Sequence, residues 1–316
     1  MPSAHAPAPS SQPTPNPISR PLRPQPLLGT HTALVTPFNN DGSLDLGALD
    51  ALVQWQLDSG VDGLVPCGTT GEACTLTPRE RVAIIGTVAK RAHGRAWVMA
   101  GTGSQGLVET LEYGRQARDA GATVALVVSP FYNRPTAEGL YRYYSSLCEA
   151  DVLPQVLYNV PSRTACDMLP PLLGRLAAFP QIWGIKEATG DLDRVAALAS
   201  AAPHWSLLSG DDATTCAFTL MGGHGVISVV SNVAPAWVSQ MVQCARDGNV
   251  TQARELHTAL RELCRALFTE SNPIPIKAAL AWQNRLKEHY RLPLCEMSAA
   301  PKELLLAALR ALPKLR

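Results

Sequence analysis

Lys186 closes the apolar run Ile182-Trp183-Gly184-Ile185, a setting in which an ammonium group is out of place unless chemistry calls for an amine. A lysine amine attacks a carbonyl only when unprotonated, so it needs surroundings that penalise the charged form. The run before Lys186 can provide them. The competing reading is a strand that ends with Lys186 in solvent; buried lysines are rare, so other segments must decide.

Three more polar or aromatic motifs follow predicted strands: Gly68-Thr69-Thr70-Gly71-Glu72, Phe131-Tyr132-Asn133-Arg134-Pro135, and Tyr158-Asn159-Val160-Pro161-Ser162-Arg163. Singly, each is explained by a Gly-rich turn, an aromatic packed under a loop or an arginine in solvent. Together they assemble a chemistry. A 2-oxo acid needs donors for its carboxylate, and Thr69 and Thr70 on a glycine-flanked turn offer backbone N–H groups and hydroxyls. An imine that becomes an enamine requires protons to move at nitrogen, oxygen and the adjacent carbon, for which Tyr158, Thr69 and Tyr132 are the candidate relay. Arg163 adds a planar cation suited to a second carboxylate, so the second substrate is expected to be an acid too.

The elements that must position these groups alternate regularly. Short aliphatic or β-branched runs at 31–36, 62–66, 96–101, 123–129, 155–159, 182–187, 206–210 and 225–229 are each followed by a helix-like segment. Eight such repeats predict a (β/α)8 barrel rather than an open sheet, with the reactive groups where strands end and βα-loops begin. Helical segments near 250–268, 274–289 and 301–312 predict a C-terminal extension. Thr77-Pro78-Arg79-Glu80 reads as a capping box opening a helix at Pro78, and Gly121 as the left-handed stop of the next. The organisation expected is a Pro-rich disordered tail over 1–26, a catalytic barrel over 27–247 and a helical extension over 248–316.

Composition excludes other classes. A formal charge of +1 with no dense basic run argues against nucleic-acid binding, and no apolar stretch reaches the length of a membrane span. The eight cysteines are scattered without a C-x-x-C pair, as expected of buried thiols in a reducing compartment, so neither disulfide nor zinc is predicted and a cytoplasmic location is expected. The tail lacks the apolar core of a secretory signal, although its acid-poor, Ser-containing composition overlaps that of a transit peptide. Gly101-Thr102-Gly103-Ser104-Gln105-Gly106 matches the dinucleotide pattern G-x-G-x-x-G. It lacks the acid that should end the next strand, which closes at Ser129, so a tight βα-turn is preferred over a nicotinamide dehydrogenase. His224 reads as a turn residue on the opposite rim, and Asp212 as the cap of the helix that follows it.

Taken together, GTTGE, SPFYNRP, LYNVPSRT, GIKEATGD, LSGDD and GGHGVISV resemble the dihydrodipicolinate synthase and N-acetylneuraminate lyase family of Schiff-base aldolases, from about Leu28 to the C-terminus. The resemblance is strongest to members that condense pyruvate with L-aspartate 4-semialdehyde on the way to diaminopimelate and lysine. It implies that Lys186 carries the pyruvate imine with no separate cofactor and that Tyr158 donates and accepts protons beside it. It further implies that Thr69 links Tyr158 to a Tyr132 supplied by a neighbouring subunit, that Thr70 contacts the pyruvate carboxylate, and that Arg163 holds the carboxylate of the semialdehyde. Gly210 and Ile227 would line the pocket, and a homotetramer built as a dimer of dimers follows from the shared tyrosine. The alternative within the family is a sugar-acid lyase, which usually lacks the Pro161-Ser162-Arg163-Thr164 arginine. A non-catalytic relative would be expected to have lost Lys186, Tyr158 or Arg163.

One part of the family pattern is altered. Lysine-inhibited members place lysine-contacting polar groups near Pro78 and Arg81, an asparagine near Gln105 and a tyrosine where Phe131 stands; Glu109 is retained. Pro78 has no side-chain donor, Phe131 no hydroxyl, and Arg81 brings a positive charge towards a cationic ligand. Weak or absent feedback by lysine is expected.

Overall fold

The computed structural model describes residues 26–313 and 315; apart from Pro26, the tail expected over 1–26 lies outside them. Eight parallel strands close into a barrel in chain order: β1 (Gly29–Ala33), β2 (Gly63–Val65), β3 (Trp97–Gly101), β4 (Val124–Val128), β5 (Gln155–Asn159), β6 (Ile182–Glu187), β7 (Ser206–Ser209) and β8 (Gly225–Ser228), with β8 pairing back onto β1. The (β/α)8 expectation holds. Helices α1 (Leu46–Asp58), α2 (Pro78–Ala92), α3 (Leu107–Asp119), α4 (Ala137–Glu149), α5 (Pro161–Thr164), α6 (Pro170–Leu176), α7 (Asp193–Ala201), α8 (Thr215–Leu220) and α9 (Pro235–Arg246) occupy the connections and the return from β8. Three more follow, α10 (Val250–Leu267), α11 (Ile274–Trp282) and α12 (Ala299–Ala311).

Two apolar layers hold this arrangement. The barrel interior is filled by Ala33, Val65, Met99, Leu126, Val156, Leu208 and Ile227, while a larger cluster joins the outer strand faces to the helices. The capping box at α2 forms as read: the Thr77 hydroxyl accepts from the Glu80 N–H and the Glu80 carboxylate accepts from the Thr77 N–H at 2.9 Å. Gly121 follows α3 at φ +98°.

Two expectations need correction. The helix predicted over 274–289 ends at Trp282, because Asn284 adopts a left-handed conformation (φ +56°) and the Arg285 N–H turns back to the Leu280 carbonyl, a stop that asparagine tolerates. Asp212 does not cap α8. Its neighbour Asp211 accepts from the Thr214 N–H at 2.9 Å, whereas Asp212 is buried and accepts from the Ser228 hydroxyl and the Val229 N–H, tying the end of β7 to the end of β8.

Candidate active site

The position of Lys186 depends on one extra residue. Gln155 pairs with Ile182 but Val156 pairs with Gly184, so β6 carries a bulge at Trp183 and the ladder continues Tyr158 with Lys186. Without that bulge Tyr158 would face Ile185, and Lys186 would belong to the other side of the sheet. Gly184 allows the irregularity, since a Cβ there would lie 2.3 Å from the Ser206 carbonyl oxygen. Trp183 turns into the barrel and meets Trp97 edge to face at 6.1 Å.

Lys186 is 6% exposed and Tyr158 7%. The Lys186 Nζ stands 4.1 Å from the centroid of the Tyr158 ring, and among the described residues no carboxylate pairs with it. Its stem has room because residue 210 is glycine: a Cβ would sit 2.9 Å from Lys186 Cε and 2.6 Å from Ala188 Cβ. The next residue along each strand is anchored on the outer face. Asn159 donates to Glu187 at 3.0 Å and to Asp167 at 2.9 Å, and Arg194 pairs with Asp167. This network fixes the ends of β5 and β6 and with them the tyrosine and the lysine.

The turn after β2 carries Thr69 and Thr70 between two left-handed non-glycine residues, Cys67 and Glu72, both at φ +56°. Such backbone persists only where surrounding contacts over-determine it. The Thr36 hydroxyl donates to the Gly71 carbonyl at 2.7 Å, and a Cβ on Gly71 would press on the Leu34 oxygen at 3.1 Å. From the C-terminal extension, the Asn272 Nδ2 donates to the Thr70 hydroxyl at 2.9 Å and the Lys277 ammonium binds the Glu72 carboxylate at 2.5 Å. Arg291 clamps Glu80 with contacts of 2.5 and 2.9 Å, and the Glu80 carboxyl is pulled down to about 2 chiefly by that bond.

A cavity of about 570 Å³ opens at this rim, lined among others by Thr69, Phe131, Tyr158, Arg163 and Asn272. Arg163 lies on α5, a single turn entered through Pro161 and left through the left-handed Ala165, and its guanidinium donates to the Asn272 carbonyl at 3.3 Å. Thr70, Lys186, Gly210 and Ile227 are not on the cavity lining; Lys186 adjoins it through Tyr158, and Ile227 is buried in the inner core. Tyr132 stands apart, 90% exposed at φ +78° with Arg134 at φ +50° behind it. No hydrogen bond joins the hydroxyls of Tyr158, Thr69 and Tyr132 among the described residues. The fold thus gathers Thr69, Thr70, Tyr158, Arg163, Lys186 and Gly210 at one end of the barrel and presents Tyr132 outward.

The cavity extends to Ser104, Gln105, Glu109 and Tyr113. There Glu109 is already engaged by the hydroxyls of Ser104 and Tyr113, which hold its carboxyl below the usual range. Arg81 is buried, donating to the carbonyls of Ala73 and Gly101 with its guanidinium over the Tyr113 ring. Two of the three glycines of the 101–106 motif serve packing: a Cβ on Gly101 would lie 2.2 Å from the Cys67 oxygen and one on Gly103 2.5 Å from the Val128 nitrogen, whereas one on Gly106 would meet open space. His224 sits at the opposite rim, where its Nδ1 accepts from the Leu207 N–H at 3.0 Å.

The residues missed at the level of sequence are Asn159, Asp167 and Arg194 behind the strand ends, and Asn272, Lys277 and Arg291 in the extension. Lys277 alone carried a signal, since it too stands in an apolar run, Ile274-Pro275-Ile276-Lys277-Ala278-Ala279-Leu280.

A barrel that buries a lysine at the end of its sixth strand, against a tyrosine of the fifth, has the frame of a Schiff-base aldolase. The chain belongs to the dihydrodipicolinate synthetase family, whose sequence profile matches residues 26–312. It is 46% identical over 283 residues to the 4-hydroxy-tetrahydrodipicolinate synthase of Methylococcus capsulatus, covering 89% of this chain and 97% of that one. It is 48% identical over 276 residues to the enzyme of that name from Anaeromyxobacter dehalogenans, covering 87% and 93%. The solved 4-hydroxy-tetrahydrodipicolinate synthase of Methylacidiphilum fumariolicum superposes with a TM-score of 0.88 at 40% identity over 90% of this chain and 95% of its own.

Proposed function

We infer that the chain is a lyase that condenses pyruvate with L-aspartate 4-semialdehyde to 4-hydroxy-tetrahydrodipicolinate, a step of diaminopimelate and lysine biosynthesis. Family membership and near full-length similarity to relatives named for that product support the reaction. The observation that carries the mechanism is a buried Lys186 with no anionic partner among the described residues, 4.1 Å from the centroid of the Tyr158 ring. No cofactor is required, because the imine itself withdraws electrons from the adjacent carbon.

Lys186 in its neutral form attacks the pyruvate carbonyl carbon, and loss of water gives the imine. Removal of a methyl proton gives the enamine, whose terminal carbon adds to the aldehyde of the semialdehyde and leaves a hydroxyl. The amine of the second substrate then attacks the imine carbon, closing the ring and releasing Lys186. Tyr158 moves the protons, with Thr69 and Tyr132 of a neighbouring copy completing the proposed relay once the copies assemble and substrate binds. Thr70 receives the pyruvate carboxylate, Arg163 the second carboxylate, and Gly210 and Ile227 shape the space around the imine.

An exposed aromatic held at positive φ is costly in an isolated chain. Its place on Tyr132 supports assembly in which a partner receives it, and a homotetramer built from such dimers is the proposed state. No helix of the described residues is long and apolar enough to cross a membrane, and a cytoplasmic location is proposed. Lysine feedback is proposed to be weak, because Glu109 is already engaged by the Ser104 and Tyr113 hydroxyls and Arg81 by the Ala73 and Gly101 carbonyls; a sub-millimolar inhibition constant for L-lysine would contradict this.

The test is a coupled assay in which a reductase consumes NADPH as product forms. Consumption that requires both pyruvate and aspartate 4-semialdehyde is expected. Arg163→Ala should lower turnover with the semialdehyde about a hundredfold while leaving imine formation with pyruvate largely intact; equal losses in both would remove Arg163 from its assigned role.

A further inference from the structure

We propose that Asn272 is a positioning residue that fixes the direction of the Thr70 hydroxyl and so orients the pyruvate end of the site, an inference that rests on the reading of Thr70 as the carboxylate contact. Asn272 is 9% exposed and lies 202 residues from Thr70 in the chain, yet its Nδ2 donates to Thr70 Oγ1 at 2.9 Å. A threonine hydroxyl has one hydrogen to give. With one of its two lone pairs taken by the Asn272 N–H, Thr70 cannot give its hydrogen to that amide nitrogen and must direct it elsewhere, and the unpaired acceptor arriving in the site is the carboxylate. The reverse amide orientation would place an oxygen against Thr70 and turn the proton away from substrate.

The rest of Asn272 supports the assignment. Its backbone oxygen accepts from the Arg163 guanidinium at 3.3 Å, so one residue of the C-terminal extension touches the groups assigned to both substrate carboxylates. The two contacts use different parts of the residue. Side-chain replacement therefore acts on the Thr70 end and leaves the Arg163 end in place. The Asn272 Oδ1 is buried and unpartnered among the described residues.

The experiment measures KM for each substrate and kcat in full-length Asn272→Ala, Asn272→Asp, Thr70→Ala and the Thr70→Ala/Asn272→Ala double variant. Asn272→Ala is expected to raise the pyruvate KM about tenfold, with kcat and the semialdehyde KM changed by less than about threefold. Asn272→Asp, of the same shape, should raise it further, to about a hundredfold, because a carboxylate both captures the Thr70 proton and repels the substrate anion. In the Thr70→Ala background the second substitution should add nothing to the pyruvate KM. An Asn272→Asp enzyme with near-normal pyruvate KM, equal rises for both substrates, or effects that simply multiply in the double variant would overturn the proposal. A Thr70→Ala enzyme with unchanged pyruvate KM would instead overturn the assignment of Thr70 on which it stands.

Discussion

Lys186 and Lys277 are both delivered on apolar sequence and both lose nearly all contact with solvent, at 6% and 0% exposure. Their surroundings differ in one respect. Lys277 binds the fully buried Glu72 carboxylate at 2.5 Å and lies 4.4 Å from the Phe38 ring centroid, whereas Lys186 meets the face of Tyr158 and, among the described residues, no carboxylate. Burial pushes the Lys277 ammonium below its ordinary range and the Glu72 charge opposes that shift. Burial alone therefore does not mark a reactive amine. A matched carboxylate turns a lysine into a bolt, here between the C-terminal extension and the Thr69-Thr70 turn; the missing carboxylate beside Lys186 leaves its nitrogen available to a carbonyl.

Because of this difference, the two lysines should respond oppositely to substitution by methionine. Lys186→Met should abolish turnover, with a loss of at least about a thousandfold, yet leave the thermal midpoint nearly unchanged, because no charge is orphaned; steady-state rates and a melting curve on one preparation check this. Lys277→Met strands Glu72 and should cost about 3–5 kcal/mol in denaturant unfolding. The Glu72→Gln/Lys277→Met pair should recover most of that, whereas equal instability of the single and double variants would deny the pair its role.

A third buried base sharpens the contrast by titration. His31, enclosed in β1 with the space above Gly63 occupied by its ring, has its pKa lowered by burial from 6.5 to about 4. Between those values the unfolded chain binds a proton that the folded chain refuses, so the stability His31 contributes is complete above pH 6.5 and is lost as the pH falls towards 4, by about 3 kcal/mol. His31→Gln should flatten that part of the stability profile, and an unchanged slope would contradict the assignment. The smallest effect expected is at Gly210. Its Ala variant should displace Lys186 and Ala188 at a cost of about 1–3 kcal/mol, with imine formation slowed about tenfold in a stopped-flow measurement.

The comparison also shows what the sequence could convey. Alternating runs and cap signals made the barrel legible, since strand and helix periods are local properties. The end of α11 was not, because an asparagine at 284 signals a left-handed stop only weakly. Lys186 stood out by its apolar context, but the similarly apolar context of Lys277 could not be told from it without knowing that Glu72, 205 residues away, is its partner. The bulge at Trp183 was likewise hidden: β6 is apolar on both faces, so no alternation reveals a one-residue slip. Asn272 and Asn159 carry no pattern at all, being polar residues whose meaning lies entirely in what the fold brings beside them.

The most direct test exposes the protein to pyruvate, reduces it with borohydride and locates the modification by peptide mass spectrometry. The account predicts one reduced pyruvate adduct per chain, on Lys186, with the Lys277 peptide unmodified even at high pyruvate. An adduct on Lys277 or on a surface lysine alone, or none in protein that retains its fold, would contradict it.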